Sequence, residues 1–206
     1  DGDDFIDGGS GTNRLYGDAG NDTITSNGER DVVDAGDGDN KITINSGGGR
    51  FTSGSGIDSY LVNGGFSLTI ESGDGNDNIE VLNDPNQTET YSYRQNINTG
   101  YGDDNVVIEN DFRDSYVSTH EGNDYIYLAK GASNWSYVSA GQGDDTVVIE
   151  GYKWNGSIRG GPGDDTLDAS ALTGSGQHDN NLSLLGQDGN DTLIGGNGSD
   201  TLYGGN

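Results

Sequence analysis

Asp4, Asp22, Asp31, Asp58, Asp77, Asp104, Asp124, Asp145, Asp165, Asp191 and Asp200 share one local pattern: the second residue after each is large and apolar. Those residues are Ile6, Ile24, Val33, Tyr60, Ile79, Val106, Ile126, Val147, Leu167, Leu193 and Leu202. Ahead of most of these aspartates runs a glycine-rich turn, as in Gly141-Gln142-Gly143-Asp144-Asp145 and Gly195-Gly196-Asn197-Gly198-Ser199-Asp200. Glycine lets the backbone take φ > 0 and aim several carbonyl oxygens into one concavity. Aspartate adds charge on a short, stiff side chain. Such hard oxygen donors suit calcium, which takes six to eight oxygens at about 2.3–2.6 Å and accepts carbonyls as readily as carboxylates. One turn supplies only half of such a sphere, so it must stack on another turn one coil away.

The spacing predicts how the turns stack. In the N-terminal part the sixth motif position recurs every nine residues, at Asp4, Asn13, Asp22, Asp31, Asn40, a lapsed Gly49 and Asp58. Nine residues make half a coil of a flattened helix, so Asp4, Asp22, Asn40 and Asp58 form one column and Asn13, Asp31 and Gly49 the other. From Asp58 the steps to Asp77, Asp104, Asp124, Asp145, Asp165 and Asp191 are 19, 27, 20, 21, 20 and 26, which are full coils. The first column therefore runs on, while the opposite side turns through Asn63-Gly64-Gly65, Asn110-Asp111-Phe112-Arg113, Ala132-Ser133-Asn134-Trp135 and Lys153-Trp154-Asn155-Gly156. The two long steps imply protruding loops near 83–90 and 173–180.

The expected organisation is a single repeat array over 1–206: a two-sided roll at 1–58, wider one-sided coils at 59–185, and a two-sided roll again at 186–206. The chain starts and stops inside motifs, which predicts a fragment of a longer array with any targeting signal elsewhere. Alternating apolar residues mark the middle strands, with Tyr60 and Val62, Ile79 and Val81, Val106 and Ile108, Ile126 and Leu128, and Val147 and Ile149 facing inward. Return strands read more faintly, through Leu68 with Ile70, Ile97, Tyr116 or Val117, Tyr137 or Val138, Ile158, and Leu182 with Leu184. No long helix is signalled.

Composition fits this reading. Only 29% of residues are hydrophobic and 38 are glycine, meagre for a compact globule of 206 residues. A stack of coils needs only a thin core column, because each coil buries its apolar face on its neighbours. The net charge of −26, from 35 acidic and 9 basic side chains, demands counterions. Roughly 8 to 10 calcium ions would cancel about 16 to 20 of those charges. The same charge argues against nucleic acid and anionic membranes as partners. Cysteine is absent, which excludes disulfides and thiolate metal sites, and no apolar run approaches the ~20 residues of a membrane span.

The motif resembles the nonapeptide G-G-x-G-x-D-x-U-x, with U apolar, of the RTX (hemolysin-type calcium-binding) repeat family. The closest copies are Gly195–Tyr203, Asp188–Ile194 and Gly161–Leu167. The resemblance implies an all-β, right-handed parallel β-roll or β-helix with calcium between turns, type I export in an unfolded state, and folding outside the cell. It also implies side-chain ligands at Asp4, Asp22, Asp31, Asn40, Asp58, Asp77, Asp104, Asp124, Asp145, Asp165, Asp191 and Asp200. Turn carbonyls would come from Gly20, Gly38, Gly56, Gly75, Gly102, Gly122, Gly143, Gly163, Gly189 and Gly198. Asn13, Asn40, Gly49 and the side from Gly64 to Gly156 depart from the pattern.

Catalysis is not expected. The paired carboxylates Asp103-Asp104, Asp144-Asp145 and Asp164-Asp165 could do acid–base chemistry, but all three occupy the repeat frame. His120 reads as a substituted turn residue, and His178 falls in a predicted loop. Phe112, Trp135 and Trp154 sit about one coil apart on the side that lost its motif. They read either as a contact strip for glycan or protein or as rings packed over the coil edge in place of calcium, and the packing reading is favoured. Outward-facing Val107, Val148, Tyr125 and Tyr127 suggest lateral association with copies of the same chain.

The sequence thus predicts a secreted or cell-surface calcium-binding segment with a structural or adhesive role, as in a surface-layer or matrix component. Two alternatives stand beside it: an accessory export and folding module of a secreted toxin or hydrolase, and a glycan-binding module.

Overall fold

The computed structural model describes residues 1–45, 47–64, 67–82, 94–130, 132–133, 135–152, 154–174 and 180–206. The expected loops near 83–90 and 173–180 fall largely outside these residues, as does His178. Among the described residues there is no helix, and every ladder is parallel, so the all-β solenoid class is observed.

Ten strands form the first sheet: Phe5–Asp7, Thr23–Ser26, Lys41–Ile44, Ser59–Val62, Asn78–Val81, Asn105–Ile108, Tyr125–Leu128, Thr146–Gly151, Thr166–Leu172 and Thr192–Ile194. Ten more alternate with them along the chain to form the second: Arg14–Tyr16, Asp31–Asp34, Gly49–Thr52, Leu68–Glu71, Gln95–Asn98, Tyr116–Ser118, Ser136–Ser139, Trp154–Pro162, Asn180–Asp188 and Thr201–Gly205. A short third ladder pairs Phe112–Arg113 with Ala132–Ser133. Each inner strand of the two large sheets pairs with the strand one coil before and one coil after it, about 4.8 Å away along the axis.

Register aligns identical motif positions. Ile24, Ile42, Tyr60, Ile79, Val106, Ile126, Val147 and Leu167 are Cα partners in sequence along the first sheet. All are buried, as is the second row from Ile44 to Ile149. Ile6 and Leu193 are partly covered, and Leu202 is 44% exposed. In the second sheet the register Ile70, Ile97, Val117, Val138, Ile158 sends the valines inward and leaves Tyr116 and Tyr137 facing solvent. Each buried Ile, Leu or Val contributes roughly 1.5–3 kcal/mol, spread evenly along a column.

The side opposite the persistent motif closes differently from the expectation. Trp154, Asn155 and Gly156 are strand residues, not a turn, and Phe112 lies in the short third ladder. Phe112 and Trp154 are fully buried and stack at a centroid distance of 6.3 Å. These two rings are therefore core, as the packing reading favoured, and form no exposed ridge. Trp135 stands apart, 71% exposed, with φ 54. Buried polar side chains complete this edge: Gln95 Nε2 donates to Asn110 Oδ1, the Gln95 N–H to Ser115 Oγ, and Ser136 Oγ to the Phe112 carbonyl.

Candidate metal centre

Every sixth-position residue of the first column precedes a strand of the first sheet, so strand pairing stacks their turns directly. The turn is forced by its fourth residue. Gly20, Gly38, Gly56, Gly75, Gly102, Gly122, Gly143, Gly163, Gly189 and Gly198 all have φ between 124 and 143, a region open only to glycine. A Cβ at Gly38, Gly102 or Gly143 would also overlap the carbonyl of Gly20, Gly75 or Gly122 in the coil before. Fourth-position N–H groups donate to the third-position carbonyl of the next coil, as Gly102 does to Glu121 at 2.8 Å and Gly143 to Pro162 at 2.9 Å.

The carboxylates then form a ladder. The N–H of Asp4 donates to Asp22 Oδ1, Asp22 to Asn40, Asn40 to Asp58, Asp58 to Asp77, Asp77 to Asp104, Asp104 to Asp124, Asp124 to Asp145, Asp145 to Asp165, and Asp165 to Asp191, all at 2.8–3.0 Å. This consumes one oxygen of each side chain. The other, Oδ2 of Asp22, Asp58, Asp77, Asp104, Asp124, Asp145, Asp165 and Asp191, is buried with no hydrogen-bond partner. Among the described residues, the fourth-position carbonyls of these rungs accept no backbone N–H either.

Buried acceptors without a hydrogen bond are costly, and only at Asp58, Asp77, Asp104 and Asp124 does a nearby hydroxyl, of Ser53, Ser72, Thr99 or Thr119, partly offset the charge. Two ionised carboxylates one coil apart would repel by ~3.5 kcal/mol at an effective dielectric of about 20. Burial accordingly pushes the carboxyls of Asp77 and Asp145 up to about 7, and those of Asp104 and Asp165 up to about 6. For Asp145, the neighbouring charges of Asp124 and Asp165 add to the rise. Asp58 and Asp124 are raised mainly by the same burial. A cation between turns removes all these penalties together.

No three His, Cys, Asp or Glu side chains converge among the described residues. Each rung instead offers one carboxylate oxygen and main-chain carbonyls, a hard-oxygen set that suits calcium and not thiolate- or imidazole-seeking metals. Bound calcium would supply the missing positive charge between successive turns. The residues placed to hold it are the eight orphaned aspartates and the fourth-position glycines of their rungs.

The remaining sequence-derived sites differ from these. Asp4 is exposed, and it joins the ladder through its N–H. Asp31, in the second column, has both oxygens satisfied: Oδ1 accepts from the Asn13 N–H and side-chain amide, Oδ2 from Ser26 Oγ and the Gly28 N–H. Asp200 resembles the first column, since its Oδ1 is buried without a partner and burial raises its pKa. His120 occupies the second turn position with φ 65, where other coils place Gly73, Gly100, Gly141 and Gly161 at positive φ.

Two sets of residues escaped the sequence reading. A second ladder runs along the exposed fifth position, where Asp103, Asn123, Asp144 and Asp164 accept the N–H of Asn123, Asp144, Asp164 and Asn190. It points the opposite way along the axis, and it claims the first member of each acidic pair. Hydroxyls at the first turn position form the other set: Ser53 Oγ, Ser72 Oγ and Thr119 Oγ1 donate to the carbonyls of Ser72, Thr99 and Ala140 in the next coil. Their signal was a Ser or Thr five residues before an aspartate.

A sequence model of the RTX calcium-binding nonapeptide repeat (4 copies) matches residues 1–24, 7–42, 16–50, 155–171 and 183–206. In those segments the chain carries RTX-type calcium-binding nonapeptide repeats, and the array they belong to is a parallel β-solenoid. No curated protein and no solved structure matches it. The wider coils between residues 51 and 154 lie outside the matched segments, yet the carboxylate ladder crosses them without a break.

Proposed function

We propose that this chain is a non-catalytic structural and adhesive segment of a secreted or surface-attached bacterial protein, ordered by calcium outside the cell. One observation carries the reading: a single buried column of aspartates, each with one oxygen tied to the neighbouring coil and one left for a cation. Eight such oxygens in the first column, with Asp200 in the second, set the expected stoichiometry at about the number of rungs. Calcium then couples ligand binding to folding, since it binds the stacked turns and not the open chain. The paired carboxylates that suggested hydrolysis are all engaged in the two ladders, which supports the non-catalytic role.

Titration with calcium followed by circular dichroism, reversed by chelator, tests the proposal. Strand signal rising with calcium at a stoichiometry near the rung count is the expected result. Full strand signal in chelator, unchanged by calcium, overturns it.

The adhesive part of the reading rests on a different surface. Trp135 at 71% exposure adjoins Tyr137, which pairs across the coil with Tyr116, and both tyrosines are 42% exposed. Exposed rings of this kind supply stacking area for glycan or protein. Trp135→Ala with Tyr137→Ala should abolish binding to glycan or cell-surface preparations while leaving the calcium transition unchanged. Undiminished binding removes this surface from the proposal.

A further inference from the structure

The first column contains one rung in which the sixth residue is an amide. Asn40 keeps the ladder intact: its Oδ1 accepts the Asp22 N–H at 3.0 Å, and its own N–H donates to Asp58 Oδ1 at 2.9 Å. Its second side-chain atom therefore falls where each aspartate places the orphaned Oδ2. That atom is an NH2 group, and it donates to the Gly36 carbonyl at 3.1 Å and the Gly38 carbonyl at 2.9 Å. The residue is 2% exposed. Reversing the amide would set an oxygen against two carbonyls and an NH2 against an N–H, so the orientation is fixed by the network.

We propose that the Asn40 amide stands in for calcium, so that this rung is closed by the protein itself and binds no ion. The inference rests on the calcium reading above and deepens it. The two N–H bonds of the amide point at the second- and fourth-position carbonyls, which are the donors an ion would need. An amide nitrogen, whose lone pair is delocalised into its carbonyl, donates two hydrogens and offers nothing to a metal. A neutral rung also removes one charge from between Asp22 and Asp58, so the like charges nearest to each other there stand two coils apart instead of one.

The ion column is consequently divided. Asp22 lies on one side, and an unbroken run of ion rungs from Asp58 to Asp191 on the other. The coils joined through Asn40 hold together before calcium arrives, which gives the array an ordered segment at 36–58 from which calcium-driven folding can spread.

Asn40→Asp is the decisive variant. It should bind one more calcium than the wild-type chain by isothermal titration calorimetry, and its 36–58 segment should lose amide-exchange protection in chelator. Asn40→Ala should keep the wild-type calcium count yet lose the same protection. In the wild-type chain in chelator, 36–58 should exchange more slowly than 104–165. A calcium-binding wild-type chain whose folded Asn40→Asp variant gains no ion overturns this inference alone, as does equal exchange of 36–58 and 104–165. A wild-type chain that binds no calcium overturns the calcium reading and this inference with it.

Discussion

The N–H of Asp124 donates to Oδ1 of Asp145 at 2.8 Å, and the same carboxylate keeps Oδ2 buried and unpartnered. One side chain thus joins two coils through hydrogen and is placed to join them again through an ion. Asp145→Ala should remove both links. In saturating calcium the variant is expected to bind one ion fewer and to lose about 1–3 kcal/mol of stability, read by calorimetry and thermal melting. Asp144→Ala, on the exposed outer ladder, should keep the ion count and cost less than about 1 kcal/mol.

Acid should substitute for calcium. The folded carboxyls of Asp77 and Asp145 titrate near 7, and those of Asp104 and Asp165 near 6, against an ordinary value of 3.8. A pKa raised on folding contributes stability that is full below the unfolded value and is lost as pH rises through the folded one. In chelator, the melting temperature should therefore fall from pH 5 to pH 7.5. In saturating calcium the order reverses, because the ion requires the deprotonated ladder. Parallel pH trends in chelator and in calcium would contradict this coupling.

The fourth-position glycines should resist substitution more than any core residue. Gly102→Ala imposes φ 124 on an alanine and drives its Cβ into the Gly75 carbonyl, a cost above the roughly 1–3 kcal/mol of backbone strain alone. His120→Gly relieves φ 65 at a position where neighbouring coils use glycine and should stabilise the chain by about 0.5–1 kcal/mol. Chemical denaturation in calcium measures both.

The aromatic residues separate by burial. Trp154→Ala empties a stacked core site and should cost about 3–5 kcal/mol, whereas Trp135→Ala should change stability by less than about 0.5 kcal/mol. Similar losses for the two variants would show that Trp135 packs in solution.

The first column was legible because its signal is redundant: a fixed glycine, an acid two residues on, and an apolar residue two further. The inward rows followed from strand period alone. Tyr116 against Val117 was not decidable, since either fits an inward position and only pairing with Ile97 settles it. For Phe112 and Trp154 the sequence favoured packing without deciding it, because an aromatic carries no directional mark in sequence. Asp31 shows the subtler limit: the acid and the apolar Val33 are in place, but Glu29 stands where the motif has its fourth-position glycine, and Ser26 Oγ and the Gly28 N–H satisfy the carboxylate. Asn40 shows the same limit from the other side, for what an amide contacts depends on which carbonyls the turn presents.

Because the persistent turns all lie along one edge, while Phe112, Trp154, Gln95 and Asn110 close the other with apolar and hydrogen-bonded contacts, the two edges answer to different solutes. Chelation would act mainly on the first, leaving a line of unscreened charge there, while the contacts of the other edge need no ion. Salt and chelator should therefore weigh on one edge of the solenoid, and apolar co-solvents on the other.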